Sequence, residues 1–369
     1  MERILTTPRS DWQAQVEALG FDYHSMNQAI YWDERACYHF KAREIEQLES
    51  ATQEIEGLCL ELVEHVVEQC RYAELGIPEY AWPLIEASWR NREKPLLGRL
   101  DFSYNGTQPP KLLEYNADVA LGLLESSLIQ KQWLEQVYSN RQQFNTIHEK
   151  LMAARGHWDF QQVHLTCRTQ REEVFGNMAY LANTLSQSGL STKLLHIDRI
   201  CWNGKEFVDQ ESQVIKALIK LYPWEWMIEE VFSRVLQANT QVIEPAWKMI
   251  LTNKGLLVLL WELFPGHPNL LPTYFNYQHM AGDYVKKPLS GVEGENISLH
   301  NIRDTMDSDS HHNHQAFVYQ QAHFLPNFDG NYPVIGSWLI AGESAGISIR
   351  EDDSLITSVA SRAVPHFFD

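Results

Sequence analysis

The chain has 369 residues, 44% of them hydrophobic and 21% charged, enough for one large domain or two to three smaller ones with a sizeable core. A formal charge of −18 argues against nucleic acid or an anionic membrane as the main partner; a cationic ligand suits that field, whereas an anion such as ATP needs a local basic pocket or a metal. Five dispersed cysteines without a CxxC pair, a start without an apolar signal core and no apolar run of about 18 residues predict a reduced, cytoplasmic protein with no membrane span.

In chain order, residues 1–40 carry Phe21, Tyr23, Tyr31, Trp32, Tyr38 and Phe40, read as the packing of a helical lobe. Ile45, Leu48, Ile55, Leu58, Leu62, Val66 and Cys70 form one helical stripe within 41–73, which Gly76 and Pro78 end. A second helix is predicted from about Ala81 to Asn91. Arg99–Asn116 reads as two strands joined by turn chemistry at Asn105–Pro110. Helices are predicted over Leu121–Val137 and Arg141–Arg155. A strand at Val163–Cys167, a helix at Glu173–Gln187 stopped by Gly189, a strand at Lys193–Ile200, a turn at Asn203–Gly204 and a helix at Ser212–Leu221 suggest a small α/β unit. Pro245–Leu260 reads as helical and carries Lys248 and Lys254. Asp283–Pro288 is a short strand with Lys286 and Lys287, followed by a glycine-bearing loop, Ser290–Asn296. Asp304–His314 reads as a polar surface turn; its His311, His312 and His314 could take a transition metal or simply be solvated. Strands are predicted at Ala316–Gln321, Pro333–Ile340 and Ile347–Arg350. The expected divisions are 1–158, a helical lobe with the 99–116 hairpin; 159–243, the small α/β unit; and 244–369, a nucleotide-binding lobe.

The hairpin carries the densest chemistry. The two-residue period puts Arg99, Asp101 and Ser103 on one face, and Leu112, Glu114 and Asn116 on one face of the second strand. Symmetric closure sets Asp101 opposite Glu114 and Arg99 opposite Asn116. Facing carboxylates repel unless a cation lies between them, and Asp, Glu and Asn supply the hard oxygens that Mg²⁺ prefers. Arg99 is then placed to hold a phosphate. An exposed hairpin with a cross-strand ion pair is the plainer alternative. There is no Walker A loop and no GxGxxG, so a nucleotide site must be built from parts. The parts on offer are Lys254, Lys287, the Gly291 and Gly294 loop, a strand-end amide at Gln320 or Gln321, and Arg350. Such parts suit phosphoryl transfer, where positioning and charge neutralisation carry most of the catalysis.

The segments RLDFSY, LLEYNAD, TQREEVFGNMAYL, LYPWEW, EPAWKMILTNKGLLVLLWELFPGHPNLLP, YVKKPLSGVEG and GSWLIAGESAGISIREDDSLIT, in this order, resemble the synthetase part of the glutathionylspermidine synthase family and above all its short bacterial acid–amine ligase members. The resemblance implies a mixed α+β, α/β architecture: an ATP-grasp fold with a small α/β, pre-ATP-grasp substrate domain. It implies activation of a carboxylate by ATP as an acyl phosphate, then attack by an amine to give an amide. By resemblance Asp101, Glu114 and Asn116 match the Mg²⁺ ligands, and Arg99 the residue steadying the transferred phosphoryl group. Lys254, Lys287, Gly294 and Gln321, with Arg99, match the ATP site; Arg350 matches a second arginine at the reaction centre. Glu172 and Glu173 match an acidic pair that meets the amino ends of the substrates, although carboxylates also suit a helix N-terminus without any ligand. The partners implied are a peptide-like acid and an amine, polyamine-like. Two departures stand out: Val119–Gly122 offers no hydroxyl or thiol where glutathione-specific members have both, and Val292 replaces an arginine of the glycine loop. The first argues against glutathione as the acid. An ATP-binding scaffold without ligation, or a carboxylate or hydroxyl kinase, is the alternative function.

Overall fold

A computed structural model describes residues 1–26, 29–168, 171–236, 239–291, 297–300, 305–307, 316–358 and 360–369. The expected His311–His314 cluster, Val292 and Gly294 therefore lie outside the described residues.

The architecture is mixed α/β, built on three main sheets. The first has five antiparallel strands in the order Arg362–Val364, Glu343–Asp352, Tyr332–Ile340, Leu97–Ser103, Lys111–Asn116. The helix Ala42–Gln69 lies on it. Ile45, Leu48, Ile55, Cys59, Leu62 and Val66 are buried on one stripe and share a core with Leu100, Phe102 and Ile335 of the sheet. Buried polar groups fix the docking: Thr52 bonds Ser337 at 2.6 Å, and Tyr115 donates to Glu56 at 2.7 Å. At its start Glu44 accepts the Lys41 N–H and the Met1 ammonium; at its end Cys70 caps it in the left-handed region, φ 55°.

The second sheet is parallel, in the order Gln241–Ile243, Ala217–Leu221, Gln162–Cys167, Ser191–His196. The helix Glu172–Gln187 makes the crossover between its last two strands. The third sheet is antiparallel, in the order Thr273–Tyr274, Phe317–Gln321, Tyr284–Pro288, Ser298–His300, Thr305–Asp307.

Several sequence expectations need correction. Residues 1–40 are not a helical lobe: Glu2–Leu5 and Ala36–Phe40 form a small sheet with the C-terminal strand His366–Phe368, and among the described residues of this stretch only Trp12–Glu17 is helical. Ser212–Leu221 is not a helix. Its second half, Ala217–Leu221, is a fully buried parallel strand; a short apolar run enclosed on both faces has no alternation to betray it. Within Arg141–Arg155 the α-helix is confined to Ile147–Ala153. The Pro245–Leu260 helix breaks at Asn253–Gly255, where the Asn253 side chain takes the Gly255 N–H, and resumes at Leu256–Leu263. Within the supposed polar turn 304–314, Thr305–Asp307 is an edge strand.

Candidate active site

The register of the hairpin pairs Arg99 with Asn116 and Asp101 with Glu114. A bulge follows: Phe102 pairs with Leu112, so Leu113 is the extra residue. Leu112 therefore turns into the core with Phe102 and does not share the face of Glu114 and Asn116, as strict alternation had it.

On the charged face Arg99 grips Asp101 with two bonds, Nε to Oδ1 at 2.6 Å and a terminal nitrogen to Oδ2 at 2.9 Å. Its other terminal nitrogen donates to the Leu121 carbonyl at 2.5 Å. The next strand carries Gly336 opposite Asp101 and Trp338 opposite Arg99. A Cβ at Gly336 would lie 2.8 Å from Arg99 Cδ, so the missing side chain makes room for the arginine. The Asn116 amide donates to Asp101 Oδ2 at 3.1 Å and to Glu114 Oε1 at 3.2 Å.

Both lysines converge on this ribbon. Lys254, on the break between two helices, stands 3.6 Å from Glu114 Oε2 and donates to the Gly291 carbonyl at 2.8 Å. Lys287 reaches across to the Leu113 carbonyl at 2.8 Å and to Gln320 Oε1 at 2.7 Å. Burial lowers Lys287 to about 8 against the pull of Glu114, with Lys254 repelling it further. Burial works against ionised Glu114, yet Lys254, Lys287 and Arg99 prevail and bring it to about 2. Burial pushes Asp101 up despite Arg99. Glu114, Asn116, Lys254 and Gly291 line one cleft, together with Pro223 and Glu225.

The remaining candidates spread around this centre. Arg350 is half-buried on Glu343–Asp352, donates to the Ser358 carbonyl at 2.9 Å and acts electrostatically on Asp101. Gln321 is exposed at its strand end, and its N–H binds the Pro272 carbonyl; the buried amide is its neighbour Gln320, taken up by Lys287. Glu172 is exposed and Glu173 half-buried on the first turn of Glu172–Gln187.

Two features escaped sequence reasoning. Glu125 is buried against Tyr31 and Tyr23, and burial first, then Glu173, holds its carboxyl up at about 7. Asn177 donates to the Tyr23 hydroxyl at 3.0 Å and accepts the Leu123 N–H at 2.6 Å, tying this cluster to the loop under Arg99. The available signal was a pair of hydroxyl-bearing aromatics, Tyr23 and Tyr31, hidden among residues that read as packing. The second feature is Lys220: it is fully buried, its Nζ bonds Asp118, and the other Asp118 oxygen takes the Trp224 N–H at 2.6 Å.

The donor set Asp101, Glu114 and Asn116 suits a hard cation. The amide nitrogen of Asn116 now faces both carboxylates, and half a turn about its last bond exchanges nitrogen for oxygen. Basic groups lie beside it for phosphates.

The chain has relatives of known family. A family model described as "Glutathionylspermidine synthase preATP-grasp" matches residues 3–369. A "Putative acid--amine ligase" of Haemophilus influenzae is 38% identical over 395 aligned positions, covering all of both chains. The "Bifunctional glutathionylspermidine synthetase/amidase" of Escherichia coli is 29% identical over 96% of this chain, which spans 63% of that protein. The "Trypanothione synthetase" of Crithidia fasciculata is 28% identical over 77% of this chain and 49% of its own. A crystal structure titled as a putative gamma-glutamylcysteine synthetase from Methylobacillus flagellatus KT shares the fold, with TM-score 0.50 and 11% identity over 86% of this chain and 88% of that one. The class defined is a ligase that forms carbon–nitrogen bonds. Within it, the chain belongs to the glutathionylspermidine synthase pre-ATP-grasp family.

Proposed function

We propose that the chain is an ATP-grasp enzyme that joins a peptide-like acid to a polyamine-like amine, with Mg²⁺ and through an acyl phosphate. The observation that carries this is the meeting of Arg99, Asp101, Glu114 and Asn116 on one face of the ribbon with Lys254 3.6 Å from Glu114. Asp101, Glu114 and Asn116 would hold the metal, which supplies charge neutralisation at the phosphates. Lys254, Lys287 and the 291–294 loop bind the phosphates, and Gln321 the adenine edge. The acid's carboxylate oxygen attacks the γ-phosphorus and ADP leaves; Arg99 and Arg350 hold the charge that develops. The amine nitrogen then attacks the acyl carbon and phosphate leaves. Glu172 and Glu173 attract the amino groups of the substrates.

The relatives named for glutathionylspermidine and trypanothione support a peptide-like acid and a polyamine-like amine. Residues 1–158, 159–243 and 244–369 serve as hairpin-bearing lobe, substrate unit and nucleotide lobe. The absence of a helix long and apolar enough to cross a membrane, among the described residues, and five unpaired cysteines suit work in the cytoplasm.

The test is incubation of the purified protein with ATP and Mg²⁺ in a metabolite extract. One acid and one amine should be depleted together, with the gain of a mass equal to their sum less water. Depletion of the acid alone, with a product that hydroxylamine traps, would make the protein a carboxylate kinase; ATP binding with no ADP released under any pairing would make it a scaffold.

A further inference from the structure

A helical segment opens at Leu123 and Leu124, passes through the π-helical turn Glu125–Ile129 and continues as Gln130–Val137. The residue before it is Gly122, in the left-handed region at φ 95°. The first N–H groups of a helix have no partner within it, and a polar side chain at the preceding position usually closes them. Gly122 has no side chain to do so, and the cap comes from another helix. Asn177, buried on Glu172–Gln187, accepts the Leu123 N–H at 2.6 Å and the Leu124 N–H at 3.3 Å through Oδ1. Its Nδ2 donates to the Tyr23 hydroxyl at 3.0 Å and to the Glu173 carbonyl at 2.8 Å. Two N–H donors on one side and a carbonyl on the other admit one orientation of the amide.

Both directions along the capped chain lead to the candidate active site. Two residues before Leu123, the Leu121 carbonyl takes a terminal nitrogen of Arg99 at 2.5 Å. Directly after Leu124, the Glu125 carboxylate takes the hydroxyl of Tyr31 and, at 3.4 Å, that of Tyr23. Tyr23 is seated by the same helix that supplies the cap. A Cβ at Gly176 would lie 2.5 Å from its ring, and the next residue, Asn177, donates to its hydroxyl. A Cβ at Gly122 would lie 3.5 Å from Glu125 Oε1 and 3.9 Å from a terminal nitrogen of Arg99, so the carboxylate and the guanidinium flank one residue. A single amide thus fixes the chain that carries the partner of Arg99 and the tyrosine that holds Glu125.

We propose that Asn177 is a positioning residue of the ligase reaction: by capping the Leu123 end of this segment from a neighbouring helix, it holds the Leu121 carbonyl against Arg99 and the Tyr23 hydroxyl against Glu125. Its two halves act separately. The oxygen fixes the turn that orients Arg99, and the nitrogen fixes Tyr23. The inference rests on the ligase reading above for its effect on rate, while the positioning itself is measurable without turnover.

Two NMR signals separate the halves. The Arg99 Nε–H signal is identified by its loss in Arg99→Lys, and the Tyr23 fluorine signal of fluorotyrosine-labelled protein by its loss in Tyr23→Phe. In Asn177→Ala the Arg99 Nε–H should exchange with water at least tenfold faster, because a guanidinium freed from the Leu121 carbonyl can leave its place, and the Tyr23 signal should move. In Asn177→Asp, whose carboxylate still accepts both N–H groups but donates nothing, Arg99 exchange should stay within twofold of wild type while the Tyr23 signal moves. Should Asn177→Ala fail to fold, Asn177→Gln takes its place with the same expected loss of Arg99 protection, since its amide lies one methylene further out. Unchanged Arg99 exchange in Asn177→Ala, equally fast exchange in Asn177→Ala and Asn177→Asp, or a Tyr23 signal that stays in both would overturn the assignment. Once an acid–amine pair is found, kcat should follow Arg99, at least tenfold lower in Asn177→Ala and restored to within threefold of wild type by Asn177→Asp; wild-type kcat in Asn177→Ala would also overturn it. Arg99 protection lost in Asn177→Ala and kept in Asn177→Asp, in a protein that ligates nothing, would sink the ligase reading and leave the cap standing.

Discussion

Arg99 is the residue on which most of the proposed chemistry turns, and its place depends on what is absent from its neighbour. The guanidinium lies across strand Tyr332–Ile340 only because Gly336 has no side chain there. Removing the charge by Arg99→Ala should lower kcat by about 10²–10³, the loss seen when one group that stabilises transition-state charge is deleted. Gly336→Ala should act through the same atoms, displacing Arg99 and costing about 1–3 kcal/mol of stability from crowding. Steady-state rates and thermal unfolding of both variants check this; wild-type turnover in Arg99→Ala would remove Arg99 from the reaction. Glu125 gives a second residue-scale test. Burial holds its carboxyl at about 7, above the ordinary 4.5. A group whose folded pKa is raised stabilises the fold fully below its unfolded pKa and loses that contribution as pH rises through the folded one. The window is therefore about pH 4.5 to 7, and the contribution lost across it is roughly 3 kcal/mol. In Glu125→Gln, which cannot ionise, stability relative to wild type should improve by that amount from pH 4.5 to pH 8, read by denaturant titration; a pH-independent difference would contradict the raised pKa.

Elements bring these residues together, and one joint between the hairpin and the parallel sheet is a buried ion pair. Lys220 of Ala217–Leu221 bonds Asp118, two residues after Asn116, and Asp118 also holds the Trp224 N–H. Lys220→Met leaves a carboxylate buried and half-satisfied, which costs about 3–5 kcal/mol. Adding Asp118→Asn should recover part of that, since a neutral amide tolerates burial better than an unpaired charge. A cycle of the two single variants and the double, followed by chemical denaturation, measures the coupling; additive losses would mean the two groups do not depend on each other. This joint also marks how far the sequence could be read. The hairpin was legible because Arg99, Asp101, Glu114 and Asn116 alternate with apolar residues at the period of a strand that has one face in a core. The bulge at Leu113 was not, since an extra residue leaves no mark in a pattern of five or six positions. Ala217–Leu221 was misread as part of a helix because all five residues are buried, so no alternation marks the strand. Lys254 and Lys287 were legible only as cations in separate elements; that both close on Glu114 is a property of how the sheets pack.

At the scale of the molecule, the charge of −18 and the local basic pocket pull in opposite directions. On the proposed reading, Lys254, Lys287, Arg99 and Arg350 would hold a polyanion at close range, with a cation between Asp101 and Glu114, while the net charge of the chain does not attract it from afar. A polycationic amine meets the reverse: the field of the whole surface draws it in, and such steering raises association rates by about 10–10³ before any contact forms. Screening acts on that long-range term. Between about 0.01 M and 0.1 M salt the screening length falls from about 30 Å to about 10 Å, well within the size of a domain. The expected outcome is that kcat/KM for the amine falls several-fold over this range while kcat stays constant, and that kcat/KM for ATP changes less or rises. An analogue of the amine with hydroxyls in place of its remote amino groups should show a much weaker salt dependence, because only the charge of its reacting amino group is left for the field to act on. A salt response equal for the amine and that analogue would show that the net charge of the chain plays no part in drawing the amine in.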